Sequence, residues 1–371
     1  MEGARNDAMK QNEILLMHGT DYEAMTVSLL ERADLASEIG DRNARIGLKP
    51  NLVLAAGAEE GAVTHPEIVA GVLSYLQAHG FHRICVMEGS WVGAKTAAAV
   101  RASGIEAVCR RYGVPFVDLQ KDTSHTVTAK GMELRICDQA AQTDFWINLP
   151  VLKGHCQTML TCALKNWKGL LPNTEKRRFH TLGLHKPIAH LSAAVHQDFI
   201  VVDNICGDLD FEEGGTPVWM NRIFCCKDPV LCDAFGCQTL GLSLDDVPYI
   251  GMAEKLGVGC ADVSKAEITA LNPCTAAAAP KAARKVRKLE AYIDADHACS
   301  ACYGMLIHAL DKLDRVDELW GHQQKICIGQ GYRDRTGEIG VGSCTRRCEK
   351  SLEGCPPTAE KILQFLQENW I

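Results

Sequence analysis

The sequence predicts an α/β protein with a mainly parallel sheet flanked by helices, followed by a small cysteine-rich α+β subdomain. Three observations carry this expectation. From residue 13 to about residue 260, short apolar runs alternate with stretches of helical periodicity. The runs are rich in Ile, Val and Leu, as strands covered on both faces are. After Pro273 the composition shifts, and five cysteines, Cys299, Cys302, Cys344, Cys348 and Cys355, then gather in turn-like sequence with Gly and Pro, with Cys327 a sixth among them.

Taken in order, Glu13–Met17 reads as a strand. Tyr22–Ile39 reads as a helix from its apolar spacing (Met25, Leu29, Leu30, Ala33), with Gly40 as its stop. Arg45–Asn51 is a strand ending in a polar turn. Thr64 is expected to cap the next helix, with Pro66 and Glu67 in its first turn and Gly80 after its end. Arg83–Gly89 is a buried strand, Ala94–Tyr112 a helix, and Val114–Leu119 and Asp144–Pro150 strands. Phe199–Asp203 is the clearest fully buried strand. The segment 275–290 (TAAAAPKAARKVRKLE) reads as a linker leading into a helix. It separates an α/β domain over 1–274 from a cysteine-bearing subdomain over 291–371. Pro356-Pro357-Thr358 starts a last amphipathic helix that runs to Trp370.

The chain has 371 residues, 47% hydrophobic and 23% charged, with a formal net charge of −7. A generic nucleic-acid binder would be basic, so that class loses support. No run approaches the roughly 20 apolar residues of a membrane span. The polar N-terminus is not a signal peptide. A cytoplasmic location is therefore expected. Eighteen cysteines are abundant, and in a reducing compartment few of them would be disulfides. The abundance suggests a low-oxygen cell. Cys85, Cys109, Cys137, Cys206, Cys225, Cys226, Cys232 and Cys237 sit in apolar or alternating sequence and read as buried small side chains.

Two constellations could carry chemistry. Ligands of a mainly parallel sheet bind outside the carboxyl ends of its strands, which draws attention to Lys49, Asn51, Glu88, Asp118, Lys153, His155 and Asp203. The densest stretch runs from Leu152-Lys153-Gly154-His155 to Lys165-Asn166-Trp167-Lys168-Gly169. Lys165 and Lys168 are three apart and share a helical face. The set suits a small anionic or carbonyl-bearing substrate. Catalysis is assigned to Lys153, His155 and Lys165, and substrate binding to Lys49, Asn51, Asn166 and Lys168, with His185 as a further contributor. Lys176-Arg177-Arg178 adds charge but reads equally well as a solvated loop. The second constellation comprises Cys299, Cys302, Cys344, Cys348 and Cys355, with Cys327 a weaker sixth. Four thiolates from converging loops hold an iron–sulfur cluster, and four also hold structural zinc. No phosphate-binding loop, dinucleotide-binding glycine motif or nucleophile elbow occurs.

Lys49-Pro-Asn51, Thr64-His-Pro66, the Leu152–His155 and Lys165–Gly169 block, Val202-Asp203, Lys227-Asp228-Pro229 with Asp233, and residues 241–253 together resemble the family called domain of unknown function 362. The resemblance covers about residues 45 to 260. Some members carry a cluster-bearing tail with the pattern seen here in Cys299-Ser-Ala-Cys302, Gly342-Ser-Cys344 and Gly354-Cys355-Pro-Pro357. It implies Cys299, Cys302, Cys344 and Cys355 as ligands of one 4Fe–4S cluster, with Cys348 as an alternative ligand.

The resulting expectation is an iron–sulfur oxidoreductase that passes single electrons to its substrate, with His155 or a lysine as proton donor. The alternatives are a lyase, dehydratase or sulfur-transfer enzyme with an open iron site, an electron carrier or maturation factor without its own substrate, and a zinc-stabilised binding protein. The expected partners are a small-molecule substrate and an external electron donor such as a ferredoxin or flavodoxin. A homodimer is allowed, and neither nucleic acid nor membrane is expected.

Overall fold

The computed structural model describes residues 8–273, 285–319 and 321–371. Residues 275–284 of the expected linker fall outside them, and Lys285–Leu289 forms the helix that follows.

The main sheet has eight strands. They are β1 (Glu13–His18), β2 (Ile46–Pro50), β3 (Ile84–Glu88), β4 (Phe116–Asp118), β7 (Phe145–Leu149), β10 (Phe199–Asp208), β11 (Pro217–Cys226) and β12 (Glu267–Ala270). Two small ribbons lie outside it: β5 (Ser124–Ala129) with β6 (Met132–Cys137), and β8 (Lys153–His155) with β9 (Met159–Thr161). The sheet order is β12-β1-β11-β10-β7-β2-β3-β4. Only β11 runs against its neighbours, pairing antiparallel with β1 and β10. All ten residues of β10 are buried, so its apolar run needs no alternation. A second sheet of β13 (Ile293–Ala295), β14 (Ile326–Ile328), β15 (Ile339–Val341) and β16 (Lys350–Leu352) is entirely parallel. The helices Ser300–Asp314 and Ala359–Asn369 pack together in the same region. The architecture is the expected mainly parallel α/β sheet with a small cysteine-bearing α/β region after it.

Local chemistry changed several expected boundaries. The first helix breaks into Tyr22–Arg32 and Leu35–Ile39, because Asp34 takes a left-handed conformation with φ 50°. Gly104, with φ 80°, divides the helix expected over Ala94–Tyr112 into Thr96–Ala102 and Ile105–Tyr112. Thr64 is not a helix cap. Its hydroxyl accepts from Asn51 N at 2.7 Å and donates to Leu149 O at 2.8 Å, stapling the ends of β2 and β7. The eight cysteines read as buried apolar side chains are all buried.

His65 holds the capping position instead, and its backbone N–H and Nδ1 both bond Asp203 Oδ2, at 2.7 and 2.8 Å. Burial opposes the imidazolium, but the Asp203 carboxylate outweighs it and raises His65 to about 10. A His pKa raised on folding stabilises fully below the unfolded value of about 6.5 and progressively less as pH climbs to the folded value. Urea midpoints are therefore expected to fall between pH 6.5 and 10 in the native protein. In His65→Gln that portion of the decline should disappear; an unchanged pH slope would refute the pairing.

Candidate functional site

The chain leaves β2 for β3 on one side and reaches β7 on the other, so the strand order reverses at β2. Ligands of open α/β sheets bind beside such a reversal, outside the carboxyl ends of the strands. The polar residues of the 49–51 and 148–168 segments converge there.

Their floor is an interlocked hydrogen-bond network. Asn166 Nδ2 donates to Lys49 O at 3.1 Å and to Asn148 Oδ1 at 2.7 Å, while its Oδ1 accepts from Asn51 Nδ2 at 2.9 Å. Lys49 is fully buried and bonds Glu88 Oε2 at 2.5 Å and Pro50 O at 2.9 Å. Gly169 makes this possible, since a Cβ there would lie 1.9 Å from Glu88 Oε1 and 2.5 Å from Lys49 Nζ. Lys153 Nζ is held by Asn51 Oδ1 at 3.2 Å, Ala62 O at 2.5 Å and Glu212 O at 2.8 Å. Lys49, Asn51, Lys153 and Asn166 thus spend their polar atoms on one another and on the backbone.

His155 is equally committed. Its Nδ1 accepts from the amides of Gln157 and Thr158, at 2.9 and 3.2 Å. Nδ1 therefore carries no proton, and the neutral ring holds its proton on Nε2, 3.0 Å from Glu212 Oε1. Burial pulls its pKa down to about 3 despite that carboxylate. Glu212 Oε2 also receives the amide and thiol of Cys156, each at 3.1 Å. His155, Cys156 and Glu212 lie within 4.8 Å of one another, a donor set that could hold a metal ion. The two amides on Nδ1 keep the proton on Nε2, however, which removes that nitrogen as a ligand and as an acid. Cys162, Cys232 and Asp233 form a second buried donor group. There Asp233 already accepts from Ala163 N at 2.7 Å and orients the Ala163–Asn166 helix.

Above the floor lies a cavity of about 90 Å³. Lys165, Lys168, Lys176, His180, Glu212 and Cys299 line it. Lys176 gives its amine to Gly89 O and Ser90 O, at 2.7 and 2.8 Å. Lys165 bonds only Thr161 Oγ1, at 3.3 Å, and Lys168 makes no side-chain hydrogen bond among the described residues. Burial and the Lys165 charge bring Lys168 down to about 7. His180 is buried with Nδ1 unpartnered. Sequence reasoning chose His185 as the fourth contributor. That residue instead begins the next helix and stacks on Tyr249 at 5.9 Å, while His180 reaches the cavity from the Asn173–Thr181 helix. Glu212 was missed, for it lies in the turn between β10 and β11 and no spacing ties it to residue 155. Lys176, whose run reads equally well as added charge or as a solvated loop, is buried and lines the cavity.

The cysteine region closes the cavity. Cys299 caps the Ser300–Asp314 helix, with Cys302 in its first turn. Gln157 ties this helix start to the 155 loop, donating to Ala298 O at 3.0 Å and accepting from Ser300 Oγ at 2.7 Å. Negative charge on Cys344 or Cys355 would raise the Cys299 thiol, and charge on any of the three would raise that of Cys302. Burial and these neighbours push the Cys302 thiol up to about 12. Ser343 N donates to Gly354 O at 2.9 Å, and Gly354 N to Ser343 Oγ at 3.1 Å, which joins the loops carrying Cys344 and Cys355. A Cβ at Gly342, whose φ is 94°, would sit 3.5 Å from Cys302 Sγ. Cys299, Cys302, Cys344 and Cys355 share one neighbourhood, but among the described residues they are not one of the donor groups whose ligand atoms lie within 4.8 Å of one another. A cationic centre would bind them as thiolates, drawing the loops together and releasing the thiol protons. Cys348 is placed elsewhere. It packs with Cys327 and Tyr332, and burial and Cys327 raise its thiol to about 11.

The family model described as domain of unknown function (DUF362) matches residues 46–238, more than half of the chain and every floor residue. The chain belongs to the DUF362 family. A thylakoid-associated protein of Synechocystis sp. is 24% identical over 261 residues, 66% of this chain and 79% of that protein. Among solved structures, the lactate racemase apoprotein of Thermoanaerobacterium thermosaccharolyticum superposes with a TM-score of 0.41 at 13% identity, over 63% of this chain. The chain spans 58% of that racemase. Among the described residues, no helix of this DUF362 protein is long and apolar enough to cross a membrane.

Proposed function

We propose that this DUF362 protein is an iron–sulfur oxidoreductase acting on a small anionic or carbonyl-containing substrate held beside Lys165, Lys168 and His180. Cys299, Cys302, Cys344 and Cys355 would hold one 4Fe–4S cluster. The observation that carries the reading is that Cys299 lines the same cavity as these three residues. The four thiols also span the wall, for Cys355 is exposed while Cys299 faces inward. When bound, the cluster supplies single electrons. The chain supplies the remainder. Lys165 and Lys168 hold the negative charge that grows on a substrate being reduced, and an ammonium Nζ of either can give it a proton. His155 keeps Glu212 ionised and aligned, and the loop of Trp91 and Val92 limits water. An external ferredoxin or flavodoxin would deliver electrons at the Cys355 side.

Anaerobic purification followed by iron, sulfide and zinc analysis tests the reading. About four irons and four sulfides per chain, with a visible band bleached by dithionite, are expected. A colourless protein carrying one zinc per chain would replace it with the structural-zinc alternative.

A further inference from the structure

We propose that the ligand of this cavity is a compact dianion, such as a short dicarboxylate or a phosphate-class group, gripped between Lys165 and Lys168 with His180 at its side. The inference rests on the proposed site and narrows the chemistry of what enters it.

The charge balance of the cavity supports this. Lys49 and Glu88 neutralise each other at 2.5 Å. Beyond that pair, the cavity lining sets Lys165, Lys168 and Lys176 against one carboxylate, Glu212. Its Oε2 receives the Cys156 amide and thiol, and its Oε1 lies 3.0 Å from His155 Nε2. Asp118 and Asp208 act on Lys176 and Lys153 from outside the lining. Glu213 behind Glu212 is outside the cavity lining and faces His308 Nε2 at 3.7 Å, while burial and Glu212 push its carboxyl up. Lys153 and Lys176 at least have carbonyl acceptors. Lys165 has one hydroxyl, and Lys168 has no partner among the described residues. Lys165 and Lys168 are half-buried, and two amines this close with so few acceptors favour an entering group of opposite charge. One negative charge would serve one lysine and leave the other facing it.

His180 is an independent sign. It is 9% exposed, its Nδ1 has no partner, and it lines the cavity. Burial and the Lys168 charge keep the ring neutral, so it can present N–H to an anion without adding charge. Thr161, Lys165 and Lys168 line the same space as His180. The remaining wall is apolar, formed by Val53, Trp91, Val92 and Ala301. A volume of about 90 Å³ suits a ligand whose acidic groups are only a few bonds apart.

The test is anaerobic calorimetry on the protein as purified, at fixed ionic strength, with malonate, inorganic phosphate and acetate as probes. Malonate or phosphate is expected to bind at least about tenfold more tightly than acetate, a gap of about 1.4 kcal/mol. Lys168→Gln and Lys165→Gln should each abolish that preference, whereas Lys121→Gln, at an exposed position, should retain it. Equal affinities for the three probes would overturn the inference. So would a dianion preference that survives both substitutions, read in whichever of the two variants keeps the native circular dichroism. Iron and sulfide measured on the same samples separate the two proposals. Dianion selectivity in a protein without iron supports this inference and removes the redox reading, and an iron-replete protein blind to charge does the reverse.

Discussion

If Cys299, Cys302, Cys344 and Cys355 hold the proposed cluster, Cys299→Ser, Cys302→Ser, Cys344→Ser and Cys355→Ser are each expected to lose most of the bound iron and visible absorption of the native protein, whereas Cys348→Ser should keep both. The reason lies in which thiols the loops bring into one neighbourhood. Cys299, Cys302, Cys344 and Cys355 sense one another's charge. Cys348 senses Cys327, and a Cβ at Gly337 would lie 2.7 Å from Cys327 Sγ and 3.2 Å from Cys348 Sγ. Serine is a poor substitute for a thiolate ligand of iron, and metal-binding free energy in such loops is also folding free energy. The four variants should therefore show earlier thermal unfolding of the C-terminal region as well as lost colour. Iron retained in three of the four, or lost in Cys348→Ser, would show that a different set of sulfurs holds the metal.

Glu88→Ala is expected to destabilise the protein by about 3–5 kcal/mol, the usual consequence of leaving a buried charge without its partner. Lys49 is wholly enclosed, and burial already lowers its pKa against the pull of Glu88. Without the carboxylate, the ammonium would keep only Pro50 O and a long contact to Asn166 Oδ1 at 3.4 Å. The amides of Leu52 and Gly89, which Glu88 accepts at 3.2 and 2.7 Å, would be orphaned too. The double variant Lys49→Met with Glu88→Leu should recover much of the loss, because an apolar pair of similar volume avoids the desolvation penalty. Urea unfolding of the two variants checks this. A single variant within about 1 kcal/mol of the native protein, the range of an exposed pair, would mean that the pair is solvated.

The sequence exposed some layers of this molecule better than others. Buried strands such as Phe199–Asp203 and Arg83–Gly89 announce themselves, since a parallel strand covered on both faces is a continuous apolar run. β11 did not, because Pro217–Asn221 at its start is partly exposed and mixed in character. The position of the site was legible for a physical reason: polar residues directly after buried strands must lie at the carboxyl edge of the sheet. The division of labour among them was not. Lys153 and Lys168 look alike in sequence, yet three oxygens hold the first and none holds the second, a distinction made by the 62 and 212 backbones. His180 and His185 differ by five positions, and only the turn between their helices decides which one faces inward. Local spacing placed Cys299 with Cys302 but could not place Cys348, which lies in the turn before β16 and whose neighbour Cys327 comes from β14.

The loop that follows β3 has two neighbours at once. Trp91 and Val92 border the cavity, and Gly93, with φ 107°, lies so close to the thiol loops that a Cβ would sit 2.5 Å from Pro356 Cδ and 3.6 Å from Cys355 O. The outermost cysteine and the mouth of the cavity therefore rest on a shared hinge of backbone with no slack between them. A ligand that draws this loop inward must also move the ground under Cys355, and a centre assembled on Cys355 must bias the loop. Linkage makes such an influence equal in both directions for binding. On the proposed reading, occupancy of the cavity and retention of the cluster are two readings of a single equilibrium, and starving the protein of one is expected to weaken its grip on the other.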